Sequence, residues 1–126
     1  MPNSIVVVDD DKEVQEIVTF ALRRNGYQVA MASNGQQLQD ILAAQTPDLI
    51  ILDVMMPGLD GYQIFGSLRN NPATQHVPVI IMTAHAEDIY ERISIDLGAA
   101  VHITKPFHPL ELVDKVQALL QSIPGE

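Results

Sequence analysis

Cysteine is absent from the chain, which excludes disulfides and thiolate chemistry, although that absence alone names no compartment. Basic residues are scarce. Seven Lys and Arg stand against 16 Asp and Glu, a net charge of −9, and only Arg23 and Arg24 are adjacent. Nucleic acid and anionic membranes are bound by clustered Lys and Arg that neutralise phosphates, so neither is expected as a direct partner. No apolar run approaches the about 18 residues that span a bilayer, and the opening MPNSIVVVDD has no basic stretch ahead of its apolar segment. Cytoplasmic residence is the default expectation. Internal repeats, low-complexity tracts and interdomain linkers are missing as well.

What the chain does contain is core-forming sequence. Its 126 residues, 47% hydrophobic with mean hydropathy +0.11, suit one domain spanning 1–126. A domain of that size buries about two-thirds of its unfolded surface. Four short apolar runs end in polar residues: IVVVDDD (5–11), LIILD (49–53), PVIIMT (78–83) and VHITKP (101–106). Continuous β-branched runs read as buried parallel strands, and ligands of open α/β sheets sit beyond the strands' carboxyl ends. Asp9, Asp10, Asp53, Thr83 and Lys105 are therefore expected to converge on one cleft.

The spacing agrees, because a strand, its crossover helix and the return strand take about 30 residues. Asp53 to Thr83 is 30 positions and Thr83 to Lys105 is 22, one unit each. The 44 positions from Asp9 to Asp53 hold two units, with YQVAMA (27–32) as the strand between them. Five strands and five helices fill the chain. Val14, Ile17, Val18, Ala21 and Leu22 follow the helical period, as do Leu112, Val113, Val116, Leu119, Leu120 and Ile123, so both stretches read as core-facing amphipathic helices. Leu38, Ile41 and Leu42, then Ile64, Phe65 and Leu68, then Ile89, Ile93 and Leu97 mark three middle helices. Gly26 and Gly98 stand where a left-handed residue ends a helix, and Pro109 suits a first helical turn.

Right-handed crossovers restrict the winding. With strand order 2-1-3-4-5, the ends of the first and third strands flank the switch point. Three carboxylates a few ångströms apart repel unless a cation intervenes, and a hard oxygen site of this kind suits Mg²⁺. Such a pocket also draws in a phosphoryl group, whose transfer needs chiefly positioning and charge stabilisation. Asp53 is the candidate nucleophile, forming a mixed anhydride, while Lys105 offers an ammonium and Thr83 a hydroxyl to phosphoryl oxygens. Taken singly, each residue has a plainer role: Asp11 a helix cap, Asp53 a turn residue, Thr83 a strand end, Lys105 a surface amine. Their joint occurrence at four strand ends carries the inference.

These strings resemble the receiver domains of bacterial two-component response regulators, of the chemotaxis-regulator type, over nearly the whole chain. The resemblance implies an α/β fold: a flavodoxin-like, doubly wound, five-stranded parallel sheet of order 2-1-3-4-5 with five helices in three layers, α/β/α. VVVDDD makes Asp9 and Asp10 metal-site acids, Asp10 the more direct ligand. LIILDVMMPGLDG makes Asp53 the phosphorylated aspartate and a metal ligand, with the Met55 backbone carbonyl also on the Mg²⁺ or Mn²⁺. VIIMTA makes Thr83 the switch hydroxyl, and ITKPF makes Lys105 the phosphate-contacting lysine, followed by a cis bond to Pro106.

The chain departs from the family pattern in several places. The switch aromatic three before the lysine is His102, which implies an altered switch with pH sensitivity. Ala100 and Val101 replace acids that often help pair activated domains. His108, a poor capping residue, precedes the last helix and implies a weaker start. Apolar Met55 and bulky His85 neighbour the acceptor and, by obstructing the attacking water, imply a long-lived phosphoryl group.

The function implied is that of a phospho-accepting signalling domain in a two-component system or phosphorelay. It is no enzyme beyond catalysing its own phosphorylation and dephosphorylation. Partners are a histidine kinase or histidine phosphotransfer protein, docking beside the first helix near Val14, Ile17 or Val18, and an unknown downstream effector. The expected assembly is a monomer or a weak phosphorylation-dependent dimer. Only Pro124, Gly125 and Glu126 follow the last helix, so the chain reads as a stand-alone receiver or one cut from a longer regulator. Segment 69–80, RNNPATQHVPVI, resembles receivers fused to sensor kinases or cyclic-dinucleotide enzymes. Competing readings are a haloacid-dehalogenase-type Mg²⁺-dependent phosphatase, which needs an acid where Met55 stands, and a flavodoxin-like mononucleotide binder, whose phosphate Asp9, Asp10 and Asp11 would repel. A phosphorylation-independent interaction module is the third.

Overall fold

Residues 3–53, 61–83 and 101–121 are described in a computed structural model of the chain. Five parallel strands, β1 (Ser4–Val8), β2 (Gln28–Ala32), β3 (Leu49–Asp53), β4 (Val79–Thr83) and β5 (Val101–Thr104), form one sheet of order β2-β1-β3-β4-β5. Four helices are described: α1 (Lys12–Arg24), α2 (Gly35–Ala44), α3 (Gly61–Asn70) and α4 (Pro109–Gln121). The helix expected around Ile89, Ile93 and Leu97 lies outside the described residues. No described helix is long and apolar enough to cross a membrane.

Period-two alternation explains why the strands read as unbroken apolar runs. Ile5 and Val7, Leu49 and Ile51, Ile80 and Met82, and Ile103 face one layer, where Val18 and Leu22 of α1 and Leu112 and Val116 of α4 cover them. Val6 and Val8, Ile50 and Leu52, Val79 and Ile81 face the other, under Leu38 of α2 and Phe65 and Leu68 of α3. A sheet coated on both faces has no room for polar alternation. Only at the edge does the pattern relax, and in β2 Gln28 and Met31 are exposed.

Local signals set the helix ends. The Asp11 carboxylate accepts from the backbone N–H of Glu13 and Val14 at 2.9 and 3.3 Å, capping α1. Gly26 follows the helix at φ 90°, the left-handed region that favours glycine. Pro109 opens α4. Its cap differs from expectation: the His108 imidazole Nδ1 accepts from Leu110 N–H at 3.1 Å, doing the work of a side-chain oxygen. Ile17 also departs from its expected core position and is 45% exposed.

In the connection from α3 to β4, the buried Thr74 hydroxyl donates to Leu68 O at 2.7 Å and Arg69 ties the far end. Arg69 donates to the carbonyls of Val77 and Gln75 at 2.8 and 3.2 Å, and its guanidinium lies 4.9 Å from the Phe65 ring centroid. Arg69→Ala leaves those carbonyls to water and removes the stacked cation, so a loss of about 2 kcal/mol in urea-unfolding free energy is expected, with the unfolding slope unchanged.

Candidate functional site

The sheet's register brings the polar strand ends to one level. Val8 is paired with Leu52, so Asp9 stands level with Asp53. Asp53 pairs with Met82, which puts Thr83 one residue beyond, and Thr83 pairs with Thr104, which puts Lys105 beyond that. From β1 the chain departs towards β2 on one side, and β3 lies on the other, so the carboxyl ends of β1 and β3 mark the topological switch.

At that switch, Asp9, Asp10 and Asp53 each offer a carboxylate oxygen within 4.8 Å of the others. Asp9 is wholly buried and Asp53 nearly so, whereas Asp10 is exposed. The Lys105 ammonium lies between the two buried acids, 2.8 Å from Asp9 Oδ2 and 3.0 Å from Asp53 Oδ2. Its bond to Pro106 is cis. The other Asp9 oxygen accepts from Asp11 N–H at 2.9 Å.

This ion pair is uneven. Burial raises the Asp9 carboxyl above its ordinary value, assisted by the Asp53 charge, and the bonds from Lys105 and Asp11 only partly offset it. Burial also pulls the Lys105 ammonium down, but hydrogen bonds and charge from both acids outweigh that and leave it above the ordinary lysine value. Lys105, a fifth exposed, keeps water while gaining two anions; Asp9 loses all its water and gains one cation. The pocket is thus short of positive charge. At an effective dielectric of about 20, two carboxylates at this range repel by roughly 3 kcal/mol. An all-oxygen donor set open on the Asp10 side fits a hard divalent cation such as Mg²⁺.

Gln15 was not anticipated. It is buried on α1 and donates its amide to the Asp9 carbonyl, to Ala32 O at 3.3 Å and to Ser33 Oγ at 3.1 Å. It holds the acidic loop to the end of β2. The available signal was a polar residue one position from Val14 and three from Val18, inside the apolar stripe. Of the docking candidates, Val18 is wholly buried, Val14 half-buried and Ile17 exposed. His102 is half-buried in β5, paired with Ile81. Met55 and His85 lie outside the described residues.

A family profile described as the response regulator receiver domain matches residues 5–117. The chain belongs to this family. Its fold is shared by a chain described as a response regulator from Chloroflexus aurantiacus J-10-fl, with 34% identity and TM-score 0.89, over 96% of this chain and 99% of that one. The receiver domain of a signal transduction histidine kinase from Syntrophus aciditrophicus has 32% identity and TM-score 0.87, over 98% and 94%. Chemotaxis response regulator CheY4 of Vibrio cholerae, at 24% identity, matches in fold, with TM-score 0.88 over 94% and 99%. The receiver domain is a signalling module of two-component systems, and in this chain the acidic cluster lies at the topological switch between β1 and β3.

Proposed function

We infer that this receiver domain accepts a phosphoryl group on Asp53 from a histidine kinase or histidine phosphotransfer protein, and that the modified state is read by a downstream effector in the cytoplasm. The observation that carries this reading is the Lys105 ammonium shared between buried Asp9 and Asp53, with Asp10 completing a three-acid cluster. Asp53 attacks phosphorus, an O–P bond forms as the P–N bond of the donor phosphoimidazole breaks, and the imidazole leaves with its electron pair and takes up a proton. Asp9, Asp10, Asp53 and the Met55 carbonyl would hold Mg²⁺ or Mn²⁺. When bound, the metal supplies positive charge to the pocket and to the phosphoryl oxygens. Lys105 follows the charge from the free carboxylate to a phosphoryl oxygen. Thr83 donates its hydroxyl to another, and His102 fills the space behind it.

The family match does not favour a phosphatase of the haloacid-dehalogenase type. Incubation with acetyl phosphate and Mg²⁺ should add about 80 Da, one phosphoryl group, in a hydroxylamine-sensitive linkage, and EDTA should suppress it. An unchanged mass would refute the reading. Because Lys105 and a metal compete for the Asp9 and Asp53 oxygens, Lys105→Met is expected to tighten Mg²⁺ binding several-fold in calorimetry, while the phosphorylated protein loses its conformational response.

A further inference from the structure

Asp10 is the exposed member of the acidic cluster, and among the described residues nothing bonds its carboxylate. Its direction is left to the backbone. The φ and ψ of a residue are set by the planes of the two peptide units that flank it, and both planes are tied here. In the unit before Asp10, the Asp9 carbonyl accepts from the Gln15 side-chain amide; in the unit after it, Asp11 N–H donates to Asp9 Oδ1 at 2.9 Å. The second tie is internal to the acidic loop. Only the first reaches it from outside.

Gln15 can act as an anchor because it is itself fixed. It is 6% exposed, on a helix that Val18 and Leu22 lock to the sheet, and its amide also reaches Ala32 O at 3.3 Å and Ser33 Oγ at 3.1 Å. Ala32 O accepts from Asp9 N–H at 3.0 Å as well, so helix, acidic strand end and neighbouring strand close one ring of bonds. On the far side of the loop, Gln15 N–H donates to Asp11 O at 3.0 Å. An apolar side chain would fill this space without the cost of burying an amide. What the amide adds is direction. Mg²⁺ demands near-ideal octahedral geometry from few protein oxygens, so a carboxylate that must first be ordered binds it less tightly. We propose that Gln15 is a positioning residue of the metal site, whose amide on the Asp9 carbonyl fixes the backbone from which Asp10 reaches the ion. Gln15 is not itself a ligand. Its role rests on the reading of the acidic cluster as a Mg²⁺ site.

A Mg²⁺ titration without phosphodonor, followed by NMR amide shifts, tests it. Gln15→Met keeps the length of the side chain and loses the donor, and Mg²⁺ affinity should fall about tenfold, the scale of a lost partner behind a metal ligand. With acetyl phosphate, the same variant should need more Mg²⁺ for half its maximal rate and keep the wild-type rate at saturation. In an Asp10→Ala background, Gln15→Met should weaken the ion no further, because the carboxylate it orients is gone. A residue that merely supports the fold would lower affinity alike in both backgrounds. Ser33→Ala removes one support of the amide at a half-buried position, and should weaken Mg²⁺ about threefold, again only while Asp10 is present. Melts of the metal-free variants establish that each is folded. Unchanged affinity in Gln15→Met, or in Ser33→Ala where Gln15→Met does not fold, overturns the proposal, as does an equal loss with and without Asp10. A wild type that binds no Mg²⁺ overturns the metal reading and this role together. A wild type that binds Mg²⁺ and takes up phosphoryl, with Gln15→Met of equal affinity, overturns this role alone.

Discussion

Asp53→Asn is expected to abolish phosphoryl uptake from acetyl phosphate, by at least about 10³-fold in rate, or some 4 kcal/mol of barrier. A carboxamide oxygen is too weak a nucleophile to form the mixed anhydride, and its nitrogen would leave an unstable adduct. The fold should survive, because an asparagine oxygen still accepts from Lys105 Nζ, which stands 3.0 Å from Asp53 Oδ2. One of three crowded negative charges also disappears. Intact-mass spectrometry with and without donor checks the chemistry, and a melt at or above the wild-type temperature checks the fold. Persistent incorporation in the variant would move the acceptor elsewhere, with exposed Asp10 the first residue to map.

Asp9→Asn should change two properties in opposite directions: stability rises by about 1–2 kcal/mol, or some 3–6 °C in melting temperature, while Mg²⁺ affinity falls about tenfold. Removing one member of a buried ion pair ordinarily destabilises, because the other charge is left unpaired. Here Lys105 keeps Asp53, and the asparagine oxygen still accepts from Asp11 N–H, so no charge is orphaned. The sign with pH follows from burial. Native Asp9 holds its proton to higher pH than the unfolded chain does, so the native state binds more protons above the ordinary value of 3.8. Metal-free wild type therefore loses this contribution as pH rises through the acidic range, and the advantage of Asp9→Asn grows over the same range and vanishes below it. Calorimetric melts in EDTA at several pH values would show it; equal melting temperatures at neutral pH would refute it.

The strand ends were the legible part of this chain, because a buried strand tip tolerates a charge only where another charge answers it. IVVVDDD, LIILD and VHITKP announced Asp9, Asp53 and Lys105, and the register brings all three to one level. Asp11 as a cap and Gly26 as a helix end were legible for a similar reason: one atom of side chain, or its lack, decides the local backbone. Ile17 was misread because helical periodicity gives the direction of an apolar stripe, not how far neighbouring elements reach across it. Gln15 escaped because its amide answers carbonyls of Asp9 and Ala32, the latter 17 positions away. His108 was read as a weak cap because such preferences rest on oxygen acceptors, whereas here a ring nitrogen takes the N–H.

Neighbouring residues of each strand serve opposite interiors: Val7 belongs with α1 and α4, and Val8 with α2 and α3. The sheet consequently divides the mutable sequence into two nearly separate accounts. A lineage can recut the outside of α1 and α4 for a new recipient without disturbing the packing beneath α2 and α3, while Asp9 and Asp53, buried at the carboxyl ends of β1 and β3, stay where they are. Diversity of listeners and constancy of chemistry are then two faces of a single wall.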